Sequence, residues 1–474
     1  MAQKFVSKYT TPLLTSAGKV IKQLLWGDHV FAPSFSGSGL VKVRARGTPG
    51  WVDVADLGDE SLLEVYFIDV GQGDGVLIRT PDGRHLLMDA GYKRAAQPTG
   101  KNAADFVDWK FVKDYGDTTV RLDALIASHC DADHYGGLWD LLNPEETHQL
   151  DATRVEVGTF YHAGVGWWSD NGTRNLGPIE GGYLTRLIED RDYVKEWVTG
   201  SGGVKLQGEW SKFLQTVLAA NCPIQRISHT DDYLPGFGPD PSGVAIKVLA
   251  PVEYERNGKP ALKSFGDASQ NTNGNSAVLR LDYGHARILM TGDLNKNSQQ
   301  AILAAYADEL EELRADVIKG CHHGSDDCSY SFLQAVNAAC TVISSGDSEG
   351  HAHPRPTIVA ASGQTGYTVF ADDKIVTPLV YSTEISRSYR VGFPTRVLND
   401  GVEVPLDDLR IEYREITAGA LQPRNGEDAL LDLLVVPGIV YGLVNVRTDG
   451  ETILCATMNE TKGTWDLKTF PPRF

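Results

Sequence analysis

The pattern of apolar and polar positions switches between two periods along the chain, and the switches mark out its elements. Residues 63–70 (LEVYFIDV), 76–79 and 85–89 (HLLMD) are short apolar or alternating runs separated by GQGDG and PDGR. This predicts three strands joined by tight turns. Residues 103–115 have helical spacing, and 122–127 form an apolar run of strand length that leads into SHCDADHYGG. Helical spacing returns at 137–142. Further strands are predicted at 244–249, 276–281, 286–290, 315–319 and 339–344, with helices at 298–313 and 331–337. Alternation of this kind predicts a layered α/β core.

Three segments differ from that core. Residues 26–57 hold short alternating runs (HVFAPSF, LVKVRAR) before GTPGWVDVADL, which predicts a small β module within residues 1–60. The core domain is then expected over 61–363, with an insertion at about 145–240. That insertion carries Trp167, Trp168, Trp197 and Trp210, glycine breaks and helical spacing at 184–198 and 212–220. It is expected to cover one side of the site, with its aromatics forming mainly its own core. Residues 364–474 are a series of strand-like stretches, read as a β-rich C-terminal region. Its apolar piece DLLVVPGIVYGLVNV carries proline, glycines and β-branched residues, which suit two strands better than a membrane span.

Bulk properties narrow the function classes. At 474 residues two or three domains are expected. No stretch approaches the roughly 18 apolar residues that cross a bilayer. The start, MAQKFVSKYTTPLLTSAGKV, lacks the apolar centre of a signal peptide. The six cysteines form no C-x-x-C pair, which suits reduced thiols. Together these features predict a soluble, cytoplasmic protein with no membrane partner. The net charge of −18 argues against a broad basic face for duplex nucleic acid. A polyanionic substrate would have to be met by local basic patches or by metal ions.

The chemistry concentrates in SHCDADHYGG. His129, Asp131, Asp133 and His134 put two imidazoles and two carboxylates into six residues, between an apolar strand and a helix. Such a donor set suits Zn, Mn or Fe better than Ca. Cys130 and Cys321 flank the histidine motifs and are expected to be buried small residues. Asp89, Asp293 and the pair His322-His323 also follow apolar strands. Layered α/β folds gather their sites at strand ends, so these four features are expected to assemble into one site.

In content and order, FIDVGQGDGVLIRTPDGRHLLMDAG, LIASHCDADHYGG, NSAVLRLDYGHARILMTGD, ADVIKGCHHGS and GHAHP resemble the metallo-β-lactamase superfamily. More narrowly, they resemble the hydrolase domain of the ComEC-type competence proteins. The resemblance implies a four-layer αββα sandwich, here flanked by an N-terminal module similar to small SH3-like β barrels and by the β-rich C-terminal region. It makes His129 and Asp131 ligands of one divalent ion and Asp133 and His134 ligands of a second. Asp293 would bridge them, and His322 or His323 would complete the set. Asp131 stands where the superfamily has a second histidine, which moves the preference from Zn toward Mn or Mg. The superfamily's histidine before the strand to the bridging aspartate is replaced by the stretch containing Thr272, Asn273, Asn275 and Ser276. Asp69, Asp74, Asp89 and Asn275 are expected to support the ligands from outside.

The resemblance implies hydrolysis, with Asp133 in the catalytic centre and His351 or His353 donating a proton to the leaving oxygen. Ser325, and Arg387 or Arg390, are candidates for substrate contact. The expected function is a two-metal phosphodiesterase or nuclease acting on nucleic acid or a nucleotide. One alternative is hydrolysis of a non-phosphate ester, lactone or amide. Another is a binding or scaffold role in a multi-protein system, with a degenerate metal site. Expected partners are the phosphodiester substrate, a protein held by the SH3-like module, and further copies of the chain in a homo-oligomer.

Overall fold

The computed structural model describes residues 2–97, 102–240, 243–346, 351, 353–385, 388–391, 397–399, 402–404, 431–434, 442–459 and 462–474. In 388–391, 397–399, 402–404 and 431–434 it describes the backbone alone.

Two sheets face each other across the core. The first has nine strands, in the order Ile224–Arg226, Arg154–His162, Thr119–Ala127, His85–Ala90, Gly75–Arg79, Leu63–Phe67, Val444–Thr448, Ile453–Asn459 and Thr464–Phe470. The second has six, in the order Ala245–Ala250, Val278–Tyr283, Ala286–Met290, Val317–Lys319, Cys340–Ile343 and Leu379–Ser382. Alternate residues of each strand point inward. Val65, Phe67, Ile78, Leu86 and Ile126 of the first sheet meet Ile246, Leu279, Ile288, Val317 and Val342 of the second. The period of two produces this directly.

The outer faces are apolar as well and are covered by helices. Ala103–Trp109, Ala132–Leu142 and Gly208–Ala219 pack on the first sheet through residues such as Val107, Leu138 and Phe213. Lys296–Ala305 and Tyr330–Val336 cover the second sheet through Ile302 and Phe332. The result is the expected four-layer αββα sandwich.

Three regions differ in extent from the sequence expectation. Arg154–His162 and Ile224–Arg226 are strands of the first sheet, so the inserted segment lies between them. The strands Val444–Thr448, Ile453–Asn459 and Thr464–Phe470 extend the same sheet, with Val446 opposite Val65. Residues 2–58 form a seven-stranded antiparallel sheet that begins before Trp26, at Ala2–Val6. It packs against the C-terminal strands through Leu25, Trp26, Leu62, Leu454 and Ala456, and Arg447 pairs with Asp28 at 2.8 Å. No helix among the described residues is long and apolar enough to cross a membrane.

His85 shows how burial sets the pH response of this core. Its ring lies against Phe111 and Tyr115, and burial, with Arg79 nearby, lowers its pKa from 6.5 to about 3. Below pH 6.5 the unfolded chain therefore binds a proton that the folded chain refuses. Stability falls on acidification from about pH 6.5 toward 3, by at most about 1.4 kcal/mol per pH unit. His85→Phe is expected to reduce the loss of melting temperature between pH 7 and pH 5. Calorimetry at the two pH values checks this, and an unchanged loss would mean that other groups carry the acid sensitivity.

Candidate metal centre

The parallel strands His85–Ala90 and Thr119–Ala127 end together, delivering Asp89 and Ser128-His129. In the facing sheet Ala286–Met290 and Val317–Lys319 end together, delivering Asp293 and His322-His323. The Ala277 N–H donates to the Ser128 carbonyl at 2.8 Å and ties the two sheets together at this end.

Two close approaches explain the glycines around the motif. A Cβ on Gly73 would lie 2.1 Å from the Asp133 carbonyl oxygen, so the GQGDG turn can reach the motif only with glycine there. It brings Gln72 Nε2 to 3.3 Å from Asp133 Oδ2 and buries Asp74 in the centre. A Cβ on Gly137 would lie 2.2 Å from the Ala90 carbonyl oxygen, so helix Ala132–Leu142 can seat its first turn on the strand that carries Asp89.

Three imidazoles converge. His134 Nδ1 is 3.0 Å from Asp89 Oδ2, while His129 Nδ1 is 3.0 Å from Ser128 Oγ and 3.3 Å from Ser276 Oγ. His323 Nδ1 faces the Ser344 carbonyl at 3.3 Å and Asp74 Oδ1 at 3.2 Å. With each Nδ1 engaged from outside, the Nε2 atoms turn inward, and all three are buried without a hydrogen-bond partner. His134 Nε2 and His323 Nε2 lie 3.3 Å and 2.9 Å from Asp293 Oδ2, and His323 Nε2 is 3.5 Å from Asp133 Oδ2. Outer groups that orient imidazoles in this way are characteristic of metal sites.

Two ligand groups each contain two of the three imidazoles: His129, His134 and Asp293, and Asp133, His134 and His323; Asp74 adds two more, one with Asp293 and His323 and one with Asp89 and His134. In each, the donor atoms lie within 4.8 Å of one another. This grouping differs from the pairing implied by the resemblance. Asp131 stands at the rim, with Oδ2 3.8 Å from His129 Nε2, where it accepts a hydrogen bond from Thr272 at 3.0 Å. His323 turns inward, whereas His322 remains at the edge, 3.8 Å from Asp293 Oδ2 and 3.4 Å from Asn273 Nδ2. Both histidines have left-handed backbones, with φ 47° and 53°, a conformation that surrounding structure must hold.

Where the superfamily would have a further histidine, Thr272, Asn273 and Ser276 contact Asp131, His322 and His129. Asn275 does not play the supporting part expected of it. Its amide donates to the Lys263 and Asn271 carbonyls and braces the loop instead. Asp69 accepts from the Gly71 N–H at 3.5 Å in the GQGDG turn, and Ser325 Oγ accepts from the Asp327 N–H. Arg387 and the side chain of Arg390 lie outside the described residues.

His353 is buried beside the cluster, its ring 6.1 Å from His322 and 6.4 Å from His323, and the exposed His351 stacks on it at 5.6 Å. Burial and the neighbouring histidines push the His353 pKa down to about 3, so it is neutral at pH 7. Both candidate cysteines are buried thiols. Burial raises Cys130 well above the usual range and Cys321 to about 12, and neither belongs to a candidate ligand group among the described residues.

Lys319 was not legible as a site residue. It ends an apolar strand, yet its ammonium is buried, pairs with Asp74, donates to the Gly292 carbonyl at 2.8 Å and lies 3.5 Å from Asp293 Oδ1. Burial opposes its charge, but Asp74 and Asp293 outweigh burial and hold its pKa above the ordinary value. Burial likewise opposes charge on Asp293, and His323, His134, His322 and Lys319 overcome it, holding the carboxyl well below its usual range. Asp131 goes the other way: burial and Asp133 raise it to about 6. The inner carboxylates are thus ionised and ready for a cation, while the rim carboxylate titrates near pH 6.

Residues 68–319, more than half of the chain, match the family described as the Metallo-beta-lactamase superfamily. The chain belongs to the metallo-β-lactamase superfamily. It is similar to Competence protein ComA of Neisseria gonorrhoeae, with 27% identity over 326 residues, covering 68% of this chain and 31% of ComA. It is also similar to ComE operon protein 3 of Bacillus subtilis (strain 168), with 23% identity over 310 residues, covering 62% and 30%. This superfamily chain therefore spans about a third of the length of these relatives. Among solved structures, Tm1679, described as a metal-dependent hydrolase of the β-lactamase superfamily, aligns over 68% of this chain and 95% of its own. The identity is 11% and the TM-score 0.32.

Proposed function

We propose that this superfamily member is a metal-dependent phosphodiesterase acting on nucleic acid or nucleotide phosphodiesters. The observation that carries the reading is the convergence of three buried imidazole Nε2 atoms, none with a hydrogen-bond partner, on Asp133 and Asp293. A donor set of imidazole and carboxylate fits two divalent ions, Mn or Zn, and its carboxylates also admit Mg. When bound, such ions supply an acidified water as nucleophile and neutralise charge on the phosphoryl oxygens.

The chain's own residues prepare the site for that chemistry. His129, Asp133, His134, Asp293 and His323 would hold the ions. Asp89, Ser128 and Ser276 fix the imidazole planes, and Lys319 steadies Asp293 from behind. The exposed His351, stacked on the neutral His353, is our proposed donor of the proton to the leaving oxygen. The N-terminal sheet, similar in sequence to SH3-like modules, is proposed to hold a protein partner.

A second reading, hydrolysis of a non-phosphate ester, lactone or amide, is favoured by Trp167 and Trp210, which line a cavity beside Asp131. Turnover separates the two. With Mn or Zn, the full chain is expected to hydrolyse thymidine 5′-(p-nitrophenyl phosphate) about a hundredfold faster than p-nitrophenyl acetate or a lactone. The reverse order would favour the second reading. Inability to bind either metal, measured by elemental analysis after dialysis, would sink both and favour a scaffold.

A further inference from the structure

A cavity of about 350 Å³ lies beside the metal centre, on the side carrying the insertion. Its walls include Asp131, Tyr135, Trp167, Arg174, Glu209 and Trp210. Asp131 belongs to both places, since it also stands 3.8 Å from His129. Anything filling the cavity therefore borders the reacting centre.

The charges of this cavity are distinctive. Glu209 is paired with Lys93 at 2.5 Å. Arg174 is exposed, makes no ion pair among the described residues and sits over Trp167, its guanidinium carbon 3.7 Å from the ring centroid. The strand Thr173–Asn175 holds it in place by pairing with Trp168–Asp170, whose Trp168 is fully buried. A guanidinium fixed on an aromatic ring, with its donors unspent, suits a phosphate or the face of a base. In a chain of net charge −18 it provides the local basic patch that a polyanion needs. Tyr135 and Trp210, themselves almost wholly buried, border the cavity with their rings 5.1 Å apart, and Trp167 is its partly exposed aromatic side chain.

We propose that this cavity is the subsite for one nucleotide of a single-stranded nucleic acid, adjoining the scissile phosphodiester. Its phosphate meets Arg174 and its base lies along Trp167. The proposal rests on the phosphodiesterase reading and adds the substrate class to it. The volume is in the range of small-ligand pockets, about 300–1,000 Å³, which suits one nucleotide and not a duplex. Base stacking on aromatic side chains is tolerant of sequence, so no particular base is selected.

The test is equilibrium binding of fluorescein-labelled oligothymidylate to the full chain in EDTA, where no metal-dependent cleavage can occur. Arg174→Met is expected to weaken binding about tenfold and to lower the salt slope by about one. Arg174→Lys should recover part of the loss. Trp167→Leu should remove the preference for oligothymidylate over an abasic strand of equal length. Because Trp167 is partly buried and Arg174 is exposed, Arg174→Met decides if the tryptophan variant fails to fold. Unchanged affinity in Arg174→Met overturns the subsite, as does wild-type protein that binds neither strand or both equally. A duplex of the same sequence bound as tightly as the single strand also overturns it. Mn-dependent cleavage of the same oligonucleotide by the wild type is assayed separately. Binding that needs Arg174 without cleavage would keep the subsite and remove the phosphodiesterase reading. Cleavage with no part for Arg174 would do the opposite.

Discussion

The double variant Asp133→Ala, His134→Ala is expected to hold at most one metal ion per chain and to lose phosphodiester hydrolysis by at least about a thousandfold. His134 belongs to both ligand groups, and its Nε2 lies 3.3 Å from Asp293 Oδ2. Asp133 faces His323 and receives the Gln72 amide. Removing both leaves neither of these groups with three donors; only Asp74, Asp293 and His323 stay together, and there Asp74 is engaged by Lys319. Residues that act as one unit lose most of their joint effect when any of them is removed, so a large loss is expected. Elemental analysis and turnover of thymidine 5′-(p-nitrophenyl phosphate) check it. Near-UV circular dichroism in EDTA shows whether the fold survives. Retention of full activity by a folded variant would place the reaction elsewhere in the molecule.

Lys319→Met is expected to destabilise the metal-free protein by about 3–5 kcal/mol, the scale for removing one partner of a buried ion pair. The lysine is the buried cation between Asp74 and Asp293, and methionine would fill its space without its charge. Asp74 and Asp293, both buried, would then keep only the imidazoles of His323 and His134 as positive partners. A divalent ion supplies the missing positive charge, so added Mn should restore stability more in the variant than in the wild type. Urea unfolding with EDTA and with Mn measures both effects. Equal destabilisation under the two conditions would show that Lys319 serves packing and not charge balance in the centre.

Much of the centre could be read from the chain because its parts are local. SHCDADHYGG follows an apolar strand and opens a helix, and each piece of that signal lies within a few residues. Asp89, Asp293 and His322-His323 could be placed by the same means, each at the end of a predicted strand. Periodicity could not rank His322 against His323, because the choice depends on two left-handed backbone conformations with no signature in the residue types. Lys319 looked like the last residue of a strand, since its partner Asp74 is 245 positions earlier. Asn275 looked like a ligand support because it neighbours Asn273 and Ser276, yet the turn directs its amide toward Lys263.

The insertion shows the same division. Its tryptophans were expected mainly to form a core. Trp168 and Trp197 do so, edge to face at 5.6 Å, and so does the buried Trp210, which also borders the cavity beside Asp131, while the partly exposed Trp167 lines that cavity. Neighbours in sequence, Trp167 and Trp168 differ in role because successive residues of an extended segment point to opposite sides.

By itself the sequence determined the layered α/β architecture, the metal-binding chemistry and the superfamily, because apolar period and motif content are local properties. Only the tertiary structure decided which imidazoles share a carboxylate, that Lys319 balances the charge, and that Val444–Thr448, Ile453–Asn459 and Thr464–Phe470 extend the first sheet. It also decided that Asp131 borders both the metal centre and an aromatic cavity. These outcomes join groups far apart in the chain, and their partners are chosen by packing between sheets, which no local pattern encodes.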